Sequence, residues 1–365
     1  MSETIKAKRL SLLDHPEFDN HQDVVLFKDE QTGLKAIIAV HDTTMGPSLG
    51  GCRFWPYETE EDAITDVLRL SRGMTYKSAL AGLGLGGGKS VILGDPKSMD
   101  RAARDRLMVA MGKAVHSLQG RYIIAEDMNT NEHDMEVINT VTPHVGGLPQ
   151  DVGAIGGNPS PVTALGVYSG LRAAVKHAMG KDSLKGVRVA VQGLGSVGMA
   201  LCGHLHNDGA VLFVTDINQA AMDEAVKRFG ATIVGLDEIY SVDADVFAPC
   251  ARGAILNDVT IPQFKVKAIA GAANNQLAKP VHAQMLKQRG IAYAPDYVVN
   301  AGGVIYVAAE VLGAESMEQV MTQVRGIYDT SMRIFADAER KGITPAEAAD
   351  ELAREMITVK KRKAA

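Results

Sequence analysis

Residues 187–218 read VRVAVQGLGSVGMALCGHLHNDGAVLFVTDIN: an apolar run, a glycine turn, a helix-compatible stretch, a second apolar run and an acid. That order predicts a strand–helix–strand unit with parallel strands, because a whole helix separates them. Gly193, Gly195 and Gly198 form GLGSVG where the first strand ends. A bare GxGxxG says little, but here strand, turn and helix are all present around it. The first glycine permits the tight turn, the second lets a pyrophosphate approach the main chain, and the third lets helix pack on strand. Ser196 and Val197 open the helix, whose N-terminus offers a positive end to phosphate. Asp216 closes the next strand 18 residues beyond Gly198. A carboxylate there accepts hydrogen bonds from the adenosine ribose and repels a 2′-phosphate, which predicts NAD rather than NADP.

Working outward, short apolar runs at 231–235, 244–248, 266–270 and 291–294 alternate with helix-compatible stretches, as a doubly wound parallel sheet requires. A long apolar helix is expected over 162–179, and helices after about 302 close the chain. The preceding part reads differently. DVVLFKDEQTGLKAIIAV (23–40) predicts two strands around a turn at Thr32-Gly33. Residues 58–73 open with acids and space Ile64, Val67, Leu68 and Ser71 for a helix face. The glycines crowded between Ala81 and Lys89 are too many for a helix interior and predict a specially shaped backbone. A helix over about 99–118 precedes RYIIAED, a buried strand that presents Asp127 at its end. Glycine and proline between Pro143 and Pro161 mark a hinge, placing the domain boundary near residue 150.

The chain has 365 residues, enough for two cores, with 46% hydrophobic residues and a net charge of −5. Neither a nucleic-acid nor a membrane partner is implied, and the basic TVKKRKAA ending is expected to be a frayed, solvated tail. Cys52, Cys202 and Cys250 are too few and too scattered for a disulfide framework, and no stretch resembles a signal peptide or a bilayer span. A cytoplasmic protein is expected. His133, His144, His204 and His206 lack metal-ligand spacing, so no metal is expected.

Lys77 in MTYKSAL and Lys89 in GGGKSVI bracket the glycine stretch. A lone lysine is usually a solvated surface group, but two beside so much unobstructed main chain suggest a ligand that approaches closely. One fixed ammonium can bind a substrate carboxylate. The other, desolvated and beside a like charge, can act as a base, with Asp127 as acid–base partner.

GPSLGGCRF, MTYKSALAGLGLGGGKSVI, IIAEDM, GGNPSPVTALGV, GLGSVG, IAGAANNQL and PDYVVNAGGVIYVA together resemble the glutamate/leucine/phenylalanine/valine dehydrogenase family, most closely its leucine-active members, from about residue 24 to about 330. The resemblance implies an α/β fold of two domains. Residues 1–150 would bind substrate and oligomerise around a mixed sheet, joined by the C-terminal helices from about 335 to 365, and residues 151–334 would form a Rossmann-type, doubly wound NAD-binding domain. It implies oxidative deamination of an L-amino acid to the 2-oxo acid and ammonia, in the cleft between domains, by a homo-oligomer, an octamer. Lys77 with the main chain around Gly50 and Gly51 would hold the α-carboxylate. Lys89 would activate water, and Asp127 would bind the amino group. Asn275 would hold the carboxamide or substrate, with Asn300 supporting the cleft and Thr163 touching the cofactor.

In glutamate-specific relatives a lysine stands where this chain has Leu49, so a γ-carboxylate would be left unpaired here at a cost of about several kcal/mol. By resemblance Met74, Ala125, Val304 and Val307 complete an apolar pocket, favouring leucine, valine and isoleucine, with phenylalanine or another aromatic amino acid as the alternative. One methylene is worth only about 1–3 kcal/mol in such a pocket, so these substrates overlap. An inactive NAD-binding sensor would lack one of Lys77, Lys89 and Asp127, and all three are present. Tyr306, Arg252 and the stretch MNTNEHDM depart from the usual leucine-active pattern. They bear on substrate ranking, and Tyr306 is expected to pack rather than narrow the pocket.

Overall fold

The period of two in the 23–40 segment folds as expected: β1 (Asp23–Asp29) and β2 (Leu34–Asp42) pair antiparallel, Leu26 opposite Ile37, around a turn in which Gly33 has φ +76°. The computed structural model describes residues 12–149, 155, 157–314 and 316–364, so part of the hinge lies outside the described residues. The chain divides into two units, 1–76 with 84–149, and 77–83 with 150–365.

In the first unit β3 (Ser48–Trp55), α1 (Glu60–Leu80), β4 (Gly86–Leu93), α2 (Arg101–Ser117), β5 (Tyr122–Glu126) and α3 (Glu132–Asn139) follow the hairpin. The sheet order is β1-β2-β4-β3-β5, with β4 antiparallel to β2 and parallel to β3, and β5 parallel to β3. This is a mixed sheet. The glycine stretch is a turn with positive φ at Gly82 (+65°) and Gly84 (+68°), followed by Gly86, Gly87 and Gly88 in β4, an inner strand. A Cβ on Gly87 would lie 2.0 Å from the main-chain N of Thr75, and one on Gly88 would lie 2.7 Å from the Tyr122 ring. Close approach of a helix on one face and a ring on the other overrides glycine's poor strand propensity.

Strand alternation gives the sheet two faces. Ala36, Ile38, Val40, Cys52, Phe54, Ile92, Tyr122 and Ile124 form one core with Met108, Met111, Met135 and Ile138 of α2 and α3. Ile37, Ala39 and Val91 face the other way, against Ala63, Ile64, Val67 and Leu68 of α1. Each such fully buried aliphatic side chain contributes about 1.5–3 kcal/mol. α1 runs past the expected 73 because its later residues continue to pack: Thr75, Tyr76, Ser78, Ala79 and Leu80 are all buried.

The second unit contains α4 (Ser160–Met179), β6 (Arg188–Gln192), α5 (Ser196–Asn207), β7 (Val211–Thr215), α6 (Gln219–Phe229), β8 (Thr232–Ile233), β9 (Val246–Pro249), β10 (Ala268–Ile269), α7 (Val281–Gln288), β11 (Ala292–Tyr293), α8 (Asp296–Val299), α9 (Gly302–Leu312), α10 (Met317–Arg325), α11 (Ile327–Lys341) and α12 (Pro345–Ala364). All strand pairs are parallel, in the order β11-β10-β9-β6-β7-β8. The winding reverses between β6 and β9, the crevice at which such sheets bind ligands, and the architecture is Rossmann-type. Val189 and Val191 face one core and Ala190 the other, which also contains Phe247 and Tyr293.

α11 and α12 fall within the second unit, where Phe335 joins the core that holds α4 and Ile327 lies against Gly166 of α4. The basic ending is helical and solvent-exposed: Lys361, Arg362 and Lys363 form the last turn of α12, where cations complement the helix dipole. Among the described residues no helix is long and apolar enough to cross a membrane.

Candidate active site

The register puts Leu49 of β3 opposite Gly87 of β4 and Ile123 of β5, and Gly51 opposite Ala125. Alternation then carries Arg53, Lys89 and Asp127 to the same face as Leu49, Gly51 and Ala125. Lys89 is buried, and its Nζ lies 2.9 Å from Asp127 Oδ2. Arg53 Nε donates to the same oxygen at 3.1 Å. Burial opposes charge on Asp127, yet the Lys89 ammonium and the Arg53 guanidinium hold its carboxyl below the usual carboxylate range. Neighbouring Glu126 goes the other way, raised by burial and by Glu132.

Gly51 makes this arrangement possible, since a Cβ there would lie 2.7 Å from Asp127 Cβ and 3.2 Å from Lys89 Nζ. Gly50 is needed on the opposite face, where a Cβ would lie 1.8 Å from the Gly88 carbonyl oxygen. The turn that carries Asp127 is fixed through Thr130, whose hydroxyl accepts the Asp127 N–H at 2.9 Å and donates to the Cys52 carbonyl at 2.8 Å. Leu49 and Ala125 are buried, and Met74 of α1 is half-buried.

In the second unit Gly193 directly follows β6, and a Cβ on it would lie 2.8 Å from Ala251 N, just after β9. A Cβ on Gly198 would lie 2.0 Å from the Gly193 carbonyl oxygen. Gly195 is different, with nothing within 4 Å of the position a Cβ would take. It caps α5 without any side-chain acceptor for the first N–H groups. Exposed Ser196 and half-buried Val197 follow. Open amides at the N-terminal end of a helix, beside a glycine with free space, fit a pyrophosphate. Asp216 follows β7, its Oδ2 accepting Leu194 N–H at 2.5 Å and its Oδ1 accepting Asn218 N–H at 2.8 Å.

Asn300 stands at the end of α8. Its Nδ2 donates to the Ala272 carbonyl at 3.0 Å and to Asn274 Oδ1 at 2.7 Å, and its Oδ1 accepts Lys77 Nζ at 2.7 Å. Asn275 is exposed with φ +52°, and its carbonyl accepts Ala254 N–H at 2.7 Å. Buried Gln276 secures that loop through the Gly271 and Ala273 carbonyls at 2.8 and 2.9 Å. The Gln276 N–H donates to Asp296, whose carboxyl is raised by burial despite this bond. Thr163 Oγ1 donates to the Pro159 carbonyl at 3.0 Å and adjoins Gly303, where a Cβ would lie 2.8 Å from it. Half-buried Val304 and Val307 lie one turn apart on α9, and Tyr306 is buried within the same helix.

The structure therefore brings Lys89, Asp127, Gly51, Leu49 and Ala125 together within the first unit, and Lys77 with Asn300 within the second. Arg53, with Asp66 and Tyr57 behind it, and Thr130 escaped the sequence reading. The parity of Arg53 with Gly51 was the available signal. Arg252 is exposed beside an open hollow of ≈ 530 Å³ that Tyr240, Asn257 and Thr260 also line. His133 pairs with Asp105 at 3.0 Å, His144 stacks on His116 and His204 on Tyr168. No cluster among the described residues could hold a metal ion.

Residues 21–144 match the family profile described as Glu/Leu/Phe/Val dehydrogenase, dimerisation domain, and residues 211–362 match Glutamate/Leucine/Phenylalanine/Valine dehydrogenase. A leucine dehydrogenase from Thermoactinomyces intermedius is 52% identical, over 97% of this chain and 95% of that protein. An L-tryptophan dehydrogenase from Nostoc punctiforme is 47% identical, over 94% of this chain and 95% of that protein. A crystal structure of L-tryptophan dehydrogenase from Nostoc punctiforme aligns with a TM-score of 0.84 at 45% identity, over 94% of this chain and 97% of that one. With both of its units so matched and the glycine-framed ionic cluster in place, the chain belongs to the Glu/Leu/Phe/Val amino-acid dehydrogenase family.

Proposed function

We propose that the chain oxidises a branched-chain aliphatic L-amino acid, leucine with valine and isoleucine, reversibly: amino acid, NAD⁺ and water give the 2-oxo acid, ammonium, NADH and a proton. The observation that carries this reading is the Lys89–Asp127 pair beside a buried Leu49. Asp127 receives the substrate amino group and accepts its proton. Lys77, with the main chain at Gly50 and Gly51, binds the α-carboxylate as a charge-assisted contact. Lys89, its own ammonium proton first released to solvent, takes a proton from water as it adds to the imino carbon, a general-base step of the kind that contributes about 10²- to 10⁴-fold. NAD, seated at Gly193, Gly195, Ser196, Val197, Gly198 and Asp216 with Thr163, Asn275 and Asn300, supplies the acceptor for the Cα hydride. Leu49 supports an aliphatic side chain and opposes a carboxylate, which would be buried without a partner.

Asp216 favours NAD over NADP by repelling a 2′-phosphate. A homo-oligomeric, cytoplasmic enzyme accords with the dimerisation-domain match and with cysteines that form no disulfide. The kinship with an L-tryptophan dehydrogenase favours one second reading, an aromatic substrate. Initial rates of NADH formation with leucine, isoleucine, valine, phenylalanine and tryptophan separate the two. A higher kcat/KM for either aromatic would replace the first reading with the second.

A further inference from the structure

Arg53 is, beside Lys89, the second cationic neighbour of Asp127. Its guanidinium spans two carboxylates: Nε donates to Asp127 Oδ2 at 3.1 Å, and Nη1 donates to Asp66 Oδ2 of α1 at 2.8 Å. Tyr57 Oη donates to that same Asp66 oxygen at 2.7 Å. The chain Tyr57–Asp66–Arg53–Asp127–Lys89 thus links α1 to β3, β5 and β4 by side chains alone. Among the described residues, the contacts to the Asp127 carboxylate all fall on Oδ2, from Arg53 and Lys89. Neither cation takes Oδ1 as its partner.

We propose that Arg53 is a positioning residue for the deamination reaction: anchored by Asp66, it fixes the Asp127 carboxylate so that one oxygen is held by the protein and the other receives the substrate amino group. The proposal rests on the amino-acid dehydrogenase reading above. Arginine suits the task because its planar fork can serve two carboxylates in fixed directions, whereas a lysine is a point charge on a flexible stem. The titratable groups around Asp127 are Lys89 on β4, Arg53 and Cys52 on β3, Tyr57 just after it, and Tyr122 and Glu126 on β5, with Glu132 and Asp134 of α3 beside Glu126. Asp134 is itself paired with Arg104 at 2.6 Å. Arg53 and Lys89 are the cations in direct contact with the carboxylate, so neutralising one of them weakens the stabilisation of its charge.

The test uses the full-length enzyme with Arg53→Gln and Arg53→Lys. For Arg53→Gln, kcat for leucine oxidation should fall by about 10- to 100-fold, the scale of a misplaced catalytic group. The acid limb of its kcat/KM profile should move up by about one pH unit or more, since an opposite charge ordinarily lowers an aspartate by that amount. Arg53→Lys should keep the acid limb near that of the parent and still lose kcat, and added guanidinium should restore part of the Arg53→Gln rate. A purely structural role would move neither the limb nor the guanidinium response. Crystal structures of parent and Arg53→Gln provide a readout independent of turnover, in which Asp127 should leave its Lys89 contact. An unchanged Asp127 rotamer in Arg53→Gln, or parental kcat in Arg53→Lys, overturns the proposal. A parent enzyme that oxidises no L-amino acid overturns the functional reading instead and leaves the crystallographic arm decisive for Arg53.

Discussion

Gly51→Ala adds a single methyl group to the first unit, at the point where the ionic cluster is most crowded. The new Cβ would lie 2.7 Å from Asp127 Cβ and 2.7 Å from the Glu126 carbonyl oxygen, where ordinary contacts begin at 3.4 Å. Relief therefore needs a displacement of about 0.7 Å, the difference between those two distances. Lys89 Nζ, at 3.2 Å, could swing aside, but the other two atoms are a carbon next to the main chain and the main chain itself. Because Gly51 pairs with Ala125, the strain falls on the end of β5 and carries Asp127 with it. Overpacking of this kind costs about 1–3 kcal/mol of stability. A shift approaching 1 Å at a catalytic group costs up to about 100-fold in rate. We expect kcat for leucine oxidation to drop by about 10- to 100-fold, with KM for NAD unchanged, since Gly193 to Gly198 lie in the other unit. Initial-rate kinetics together with urea unfolding measure both effects. A variant with parental kcat and parental stability would refute the reasoning, because the added methyl has no room unless the cluster moves.

Gly195→Ala is the converse case: nothing lies within 4 Å of the new Cβ, so stability should be unchanged while KM for NAD rises at least several-fold, and an unaltered KM would remove this glycine from the phosphate site. Lys89→Ala should lower turnover by about 10²-fold or more while NADH binding, followed by fluorescence, survives; retained turnover would take the base role away from it. Acid should destabilise the first unit through His21, which burial and neighbouring His41 depress from 6.5 to about 4. The unfolded chain then binds the proton more readily, so stability is full above about 6.5 and is lost as pH falls toward 4, by about 3 kcal/mol for this group. Urea unfolding of the parent and of His21→Gln across that range should show a smaller acid loss in the variant, and equal losses would exclude His21 as the cause.

The second unit was legible because its signals are local. GLGSVG needs strand, turn and helix within one short stretch, and Val187 to Asn218 contains all three. Lys89 and Asp127 stand out as residue types in an unusual setting, although the strand that carries Lys89 is not visible in propensity. GGGKSVIL is a strand because Thr75 and Tyr122 press on it from both sides, and neither is near in sequence. Glycine's meaning at such positions is set by partners brought up by the fold, which propensity cannot register. Arg53 was overlooked for a related reason. An arginine inside a strand reads as a solvated edge group until the register of β3 with β5 shows that it shares a face with Asp127. The packing of α11 on α4 likewise depends on contacts such as Ile327 with Gly166, far apart in the chain.

Period-two geometry also explains why the cluster needs its glycines. Lys89 and Val91 must share a face, and Val91 is already packed under α1. An ammonium on that face can be buried only if the sheet yields space beside it and an acid stands opposite. Gly87 lets α1 settle against β4, Gly51 leaves the volume that Lys89 and Asp127 fill, and Asp127 supplies the countercharge. Neither glycine is free to vary without moving a helix or the ion pair. On the same face Leu49 and Ala125 carry side chains that are not themselves part of that ion pair. In the proposed pocket, evolution toward a larger or smaller substrate is therefore confined to positions such as these, while the glycine frame and the chemistry it encloses stay fixed.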